Sequence, residues 1–209
     1  MKVLVSGFEA FGGDAVNPTE NMIQSIASEH FSGVELKTVL LPVNYDECAE
    51  RLIQEIEAFR PDAVISCGLY GGRTSVTPER VAVNVKDTAA DAPFADNKGV
   101  RPTDEPIRPD GPDAIFTRLP VRKIVNRLIE EKVPAYISNT AGTFICNNTM
   151  YGVLDYIHQN GLPTVAGFVH FPASTEMAAA NPFLPTLSDE TMLKALRIII
   201  QTTVEEMQH

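Results

Sequence analysis

The chain predicts an α/β fold, a three-layer α/β/α sandwich with a central, largely parallel (mixed) twisted sheet. Strand-length apolar runs alternate along it with helix-length segments of 3.6-residue periodicity, the order of a protein built from βαβ units. The strongest of those runs, 62–67 and 164–170, are apolar at most positions, as in strands covered on both faces. With 209 residues, 44% hydrophobic and 21% charged, there is enough apolar material for a real core and too little charge for disorder. Residues 1–209 are expected to form one domain, since no repeat, low-complexity tract or linker divides them.

Residues 2–6 form a β-rich run ending at Gly7, and the first helix opens at Asn17-Pro18-Thr19-Glu20, where Asn caps, Pro occupies the first turn and Glu lies three residues past the cap. Residues 34–41 read as a second strand. Asn44-Tyr45-Asp46-Glu47 starts a second helix, whose apolar positions Tyr45, Ala49, Leu52, Ile53, Ile56 and Phe59 keep the helical period until Arg60-Pro61 stops it. Strand 62–67 runs into Gly68, Gly71 and Gly72, and 81–85 forms a further strand with Val81, Val83 and Val85 on one face. Between 87 and 112 the periodicity disappears, and five of the fifteen prolines accumulate there: Pro93, Pro102, Pro106, Pro109 and Pro112. This predicts a long ordered loop or hairpin of the kind that covers a site. A helix at 121–131, a strand at 135–139, a helix at 147–159, a buried strand at 164–170 and a last helix at 188–207 complete the order.

Acidic residues number 27 against 17 basic ones, a formal net charge of −10 with no basic cluster, which argues against nucleic-acid or anionic-membrane partners. The N-terminus lacks the apolar stretch of about 7–15 residues that a secretory signal needs, and no run approaches the roughly 18 apolar residues of a membrane span. Cys48, Cys67 and Cys146 form no CxxC pair and leave an odd thiol, the usage of a reduced, cytoplasmic protein. There is no HExxH and no paired Cys or His spacing, so neither a metal nor another cofactor is expected.

Sites in open α/β sheets form at the carboxyl ends of strands. Gly7-Phe8-Glu9-Ala10-Phe11-Gly12-Gly13 follows the first strand, but it lacks the Gly-Lys-Ser/Thr of a phosphate loop and places Asp14 where a phosphate would sit. Phe8 and Phe11 either line a flat apolar pocket or pack the loop onto the core. Cys48, on a helix, and Cys67, inside a strand, read as small buried hydrophobes. Cys146 differs, because it lies where a glycine-bearing turn feeds a helix; the dipole and free N–H groups there are expected to lower a thiol pKa and to stabilise an oxyanion. Of the four histidines, His209 is terminal and His30 and His158 lie near helix ends. His170 closes a buried strand on the same sheet edge as Cys146 and is the best base available. An acid to orient it is less determined: Glu79 heads an apolar run after Pro78, yet could equally be a strand-edge charge pairing with Arg80, and Asp87 and Asp96 are rivals.

Several ordered segments resemble the pyroglutamyl peptidase I (pyrrolidone carboxyl peptidase) family of cysteine peptidases. They are Gly7-Phe8 through Asn17-Pro18, Gly68-Leu69-Tyr70-Gly71-Gly72-Arg73, Glu79-Arg80-Val81-Ala82-Val83-Asn84, Ser138 through Asn147, and Gly167-Phe168-Val169-His170-Phe171-Pro172. The resemblance implies removal of N-terminal pyroglutamate from peptides by a triad of Glu79, Cys146 and His170. It also implies a lactam pocket with Phe8 and Phe11 as clamps and Asn17, Leu69, Tyr70, Phe144 and Ile145 as neighbours, and a homotetramer. Stretch 87–97 departs from the family: it carries extra residues and lacks the arginine associated with the oxyanion, a role that then falls to the backbone N–H of Cys146 and its neighbours. Asp96 is expected to be a structural or supporting acid. Two other readings use the same residues, a thiol amidase acting on another cyclic amide and a non-catalytic binding module.

Overall fold

A five-stranded sheet forms the middle layer of the computed structural model, which describes residues 1–88, 92 and 94–208. Its members are β1 (Lys2–Phe8), β2 (Glu35–Leu41), β3 (Ala63–Leu69), β4 (Thr77–Pro78) and β7 (Val165–Phe171), in the order β2-β1-β3-β7-β4. All pairs are parallel except β4 with β7, so the sheet is mixed as predicted. Side chains alternate across it. Val3, Val5, Ala63, Ile65, Cys67, Val169 and Phe171 meet α1 (Pro18–Ile26), α3 (Val121–Glu130) and α5 (Asp189–Met207) on one face. Leu4, Phe8, Val64, Ala166 and Phe168 meet α2 (Cys48–Phe59) and α4 (Ile145–Gln159) on the other. Each helix is held by the stripe its periodicity defines, and burying one such Leu or Ile is worth about 1.5–3 kcal/mol.

Local signals set several of the helix ends. Asn17 caps α1, its side chain accepting from Thr19 N, a contact worth about 1 kcal/mol. Arg60 ends α2 in the left-handed region at φ 51°, and Ser188 caps α5. Two starts differ from expectation. Residues 45–47 form a turn, so α2 begins at Cys48, and α4 begins at Ile145, which brings Cys146 inside the helix.

Two strand predictions change. The expected strand 135–139 is not a ladder but a pair of isolated parallel bridges, Val76 with Ala135 and Glu79 with Ser138. The cause is Pro78. Val76 N donates to Pro134 O, Tyr136 N to Val76 O, Ser138 N to Pro78 O and Arg80 N to Ser138 O, and the one donor missing from the series is the N–H that Pro78 lacks. The strand predicted at 81–85 covers only Val81–Val83, as β5. It pairs antiparallel with β6 (Ala114–Phe116) outside the main sheet, and Ala82 rather than the valines is its fully buried residue. Beyond β7, β8 (Ala173–Ser174) and β9 (Thr186–Leu187) pair at the neck of a loop that contains a short 3-10 helix, Met177–Ala179.

Segment 87–112 is ordered wherever it is described. Lys86 bridges Glu105, Asn97 Nδ2 donates to Glu9 Oε1 at 2.8 Å, and Asp96 accepts from Tyr45 N, Lys98 N and Val100 N. Ala89, Ala90, Asp91 and Pro93 of its inserted stretch, and the terminal His209, lie outside the described residues.

Candidate active site

Cys146 is the second residue of α4, whose N-cap Phe144 has no capping side chain. The first-turn N–H groups, which no helical carbonyl can reach, therefore point out of the helix end beside the thiol. The thiol lies against β3 because position 68 is glycine: a Cβ there would stand 2.9 Å from Cys146 Sγ and 2.7 Å from the Phe168 ring. His170 lies on the same side of the sheet, two residues beyond Phe168 on β7, and is 1% exposed. Antiparallel pairing of Thr77 with His170 brings the end of β4 alongside it, and Glu79 follows at once. Its Oε1 lies 2.7 Å from His170 Nδ1. With Nδ1–H donating to the carboxylate, Nε2 is left as the acceptor.

The other acids and bases stand apart. Glu79 is fully buried and pairs with Arg73, not Arg80. Asp87 Oδ1 accepts from Asp104 N, and Asp96 is occupied by three backbone donors. His30 and His158 are exposed. Cys48 and Cys67 are completely buried, whereas Cys146 keeps partial exposure.

Electrostatics overturn one expectation. Burial pushes the Cys146 thiol well above its ordinary value, the charge of Glu79 adds to this, and the Arg73 cation opposes it. Desolvation outweighs the helix end, so the thiol is not held as a thiolate. Burial also pulls His170 below its ordinary value, against the opposing hydrogen bond that Nδ1–H donates to Glu79. The resting pair is a neutral thiol and a neutral imidazole.

Cys146 and His170 open into a cavity of about 530 Å³ that is also bordered by Phe8, Phe11, Asn17, Leu69, Tyr70, Phe144 and Ile145, so every residue expected in the pocket reaches it. Two of them are engaged otherwise. Asn17 is 1% exposed, its amide accepting from Thr19 and donating to Glu9 O, so it holds the loop that carries the phenylalanines. Tyr70 N–H is already donated to Phe171 O at 2.8 Å. Residues missed from sequence complete the wall. Phe94 packs on Phe11 at 5.5 Å and on Phe144 at 5.2 Å, both edge-on, and Met177 and Leu184 close the far side. Phe94 lies inside the proline-rich segment 87–112, where no periodicity could assign it a face. Arg73 was also missed, although two glycines immediately before a lone cation at a strand end were a usable signal.

A thiol at a helix start, an imidazole oriented by a buried carboxylate, and an aromatic cavity on an α/β/α scaffold define a class, the thiol hydrolases. The sequence profile of the pyroglutamyl peptidases matches residues 1–206, and the chain belongs to that family of cysteine peptidases. A pyrrolidone-carboxylate peptidase of Thermococcus onnurineus is 44% identical over 205 residues, covering 98% of this chain and all of that one. One from Thermoanaerobacter sp. (strain X514) is 39% identical over 206 residues, 99% of each chain. Among solved structures, a mutant pyrrolidone carboxyl peptidase of Pyrococcus furiosus superimposes with a TM-score of 0.94 at 37% identity, covering 99% of both chains. The pyroglutamyl peptidase I of Bacillus amyloliquefaciens gives 0.91 at 35%, covering 97% of this chain and 94% of that one.

Proposed function

We propose that the protein hydrolyses the amide bond following an N-terminal pyroglutamate, with Cys146 as nucleophile, His170 as base and acid, and Glu79 orienting the imidazole. The observation that carries this reading is the 2.7 Å contact of Glu79 with His170 Nδ1, behind an imidazole that shares one aromatic cavity with Cys146. Pyroglutamate is an uncharged, flat lactam, and a wall of Phe11, Phe94 and Phe144 suits it better than an ionic pocket would.

Because thiol and imidazole rest neutral, proton transfer accompanies attack. Sγ bonds to the carbonyl carbon while its proton passes to His170 Nε2; the oxyanion meets the free N–H groups at the start of α4; the C–N bond then breaks as His170 protonates the leaving amine. Water, giving a proton to His170, cleaves the thioester, which releases pyroglutamate and restores the thiol. The 1–209 chain is read as one domain, since both core clusters lie on the same sheet. A reduced, cytoplasmic setting fits a catalytic thiol, and no helix among the described residues is long and apolar enough to cross a membrane. The family resemblance points to a homotetramer, which light scattering tests by mass.

A pyroglutamyl aryl-amide should be cleaved by the wild-type protein and prolyl and glutaminyl aryl-amides should not, while Cys146→Ser should reduce turnover at least about 10³-fold. Undiminished activity in that variant would sink the mechanism.

A further inference from the structure

We propose that Arg73 is a positioning residue of the catalytic apparatus, a buried cation that fixes the Glu79 carboxylate and, through it and Tyr70, the imidazole of His170. This rests on the triad reading above. Arg73 is not part of the cavity wall, and its side chain is only 11% exposed. Its Nη1 donates to Glu79 Oε1 at 2.8 Å, the same oxygen that receives His170 Nδ1, and also to Thr77 Oγ1. Its Nη2 donates to Ser138 Oγ and Thr140 O, each at 3.3 Å. The guanidinium plane is thus held by β4, by the strand-like segment beside it and by the turn that leads to α4. Its carbon lies 3.8 Å from the centroid of Tyr70, whose ring meets His170 edge-on at 5.2 Å.

The chemistry explains the need for it. Glu79 has no exposed surface, and its Oε2 has no hydrogen-bond partner among the described residues. A carboxylate so placed needs a compensating charge, and a neutral imidazole does not supply one. Arg73 does, from the side away from the substrate, and its fork ties Glu79 to the segment that runs into the Cys146 helix. Around the imidazole the charged and titratable groups are Glu79, Arg73, Tyr70 and Cys146. The Arg73 charge disfavours the protonated imidazole, so removing it lets His170 take up its proton at higher pH.

The test compares wild type, Arg73→Met, Arg73→Lys, Glu79→Gln and the Arg73→Met/Glu79→Gln double variant on a pyroglutamyl aryl-amide, with kcat and KM measured across pH. Arg73→Met should lower kcat by about 10- to 100-fold, the worth of a charge-assisted hydrogen bond. KM should stay within about twofold, and the acid limb of kcat/KM should move to higher pH. Arg73→Lys should recover part of kcat and return the limb toward its wild-type position. In the double variant the Arg73 change should cost little beyond Glu79→Gln alone. A raised KM with an unmoved pH profile, or full additivity in the double variant, would make Arg73 a merely structural residue and overturn the proposal. An unfolded Arg73→Met leaves Arg73→Lys as the deciding variant, and wild-type kcat together with an unmoved limb there would equally overturn it if Lys fails to contact Glu79 in its crystal structure. Wild-type activity in Glu79→Gln would instead remove the triad on which the proposal stands.

Discussion

His170 is subject to two opposed influences: burial favours its neutral form, and the hydrogen bond to Glu79 favours the charged one, with burial the larger. The sign for catalysis follows directly. The base must be neutral to accept the Cys146 proton, so activity is lost as pH falls through the folded-state value, and that value lies below the ordinary 6.5. The acid limb of kcat/KM should therefore fall below pH 6.5, with full activity retained at pH 7; a limb centred above 7 would mean that the imidazole is held as a cation. Cys146 makes the same point from the thiol side. A helix start lowers a thiol pKa only when water or a cation is near enough to share the charge, and here the β3 backbone at Gly68 and the Phe168 ring crowd the sulfur. Sequence position singled out Cys146 as the proposed nucleophile but carried no measure of that desolvation.

At the scale of elements, the parts legible in the sequence are those whose hydrogen bonds are satisfied regularly. Strands β1, β3 and β7 read as apolar runs, and α1 announced itself by its Asn17 cap. The parts that were not legible are set by partners far away in the chain. Segment 135–139 has strand composition, yet its ladder is interrupted by a proline in another segment; β6 is three residues long and exists only as the partner of β5. Glu79 alone is an ambiguous surface charge, and it becomes part of a site only when β4 pairs with β7. Phe94 reaches the cavity for a comparable reason. The backbone N–H groups of Tyr45, Lys98 and Val100 all converge on Asp96, which ties the loop bearing Phe94 to the turn before α2. Asp96→Ala leaves these donors without their acceptor and frees the aromatic wall. KM for a pyroglutamyl aryl-amide should rise by about tenfold, the equivalent of one lost buried hydrogen bond, with kcat changed less. An unchanged KM would show that Phe94 is not held by this anchor.

For the whole molecule, a pocket walled mainly by aromatic and apolar residues on an acidic chain of net charge −10 separates solubility from recognition, and it leaves stability against pH to the few buried titratable groups. Burial raises the pKa of all three thiols, Cys48, Cys67 and Cys146, above the ordinary value of about 9, and that of Tyr45 to about 12. An acid whose folded-state pKa is raised keeps its proton in the native protein after the unfolded chain has lost it. Its contribution is thus complete below the unfolded value and declines as pH rises above it. Each thiol then removes about 1.4 kcal/mol of stability per pH unit, so the three together give a decline of about 4 kcal/mol per unit once past pH 9. On the acid side, His170 is lowered, and stability falls as pH drops below about 6.5 because the unfolded chain binds the proton first. Urea unfolding in reducing buffer should accordingly show a plateau between about pH 6.5 and 9 with a steep alkaline edge. Cys67 makes no polar contact among the described residues and lies in β3 away from the cavity, so it isolates the effect. Cys67→Ala should lower stability on the plateau through the lost packing, by about 1 kcal/mol. It should also make the alkaline edge shallower by about a third, and an edge of unchanged steepness would show that buried thiols do not set the alkaline limit.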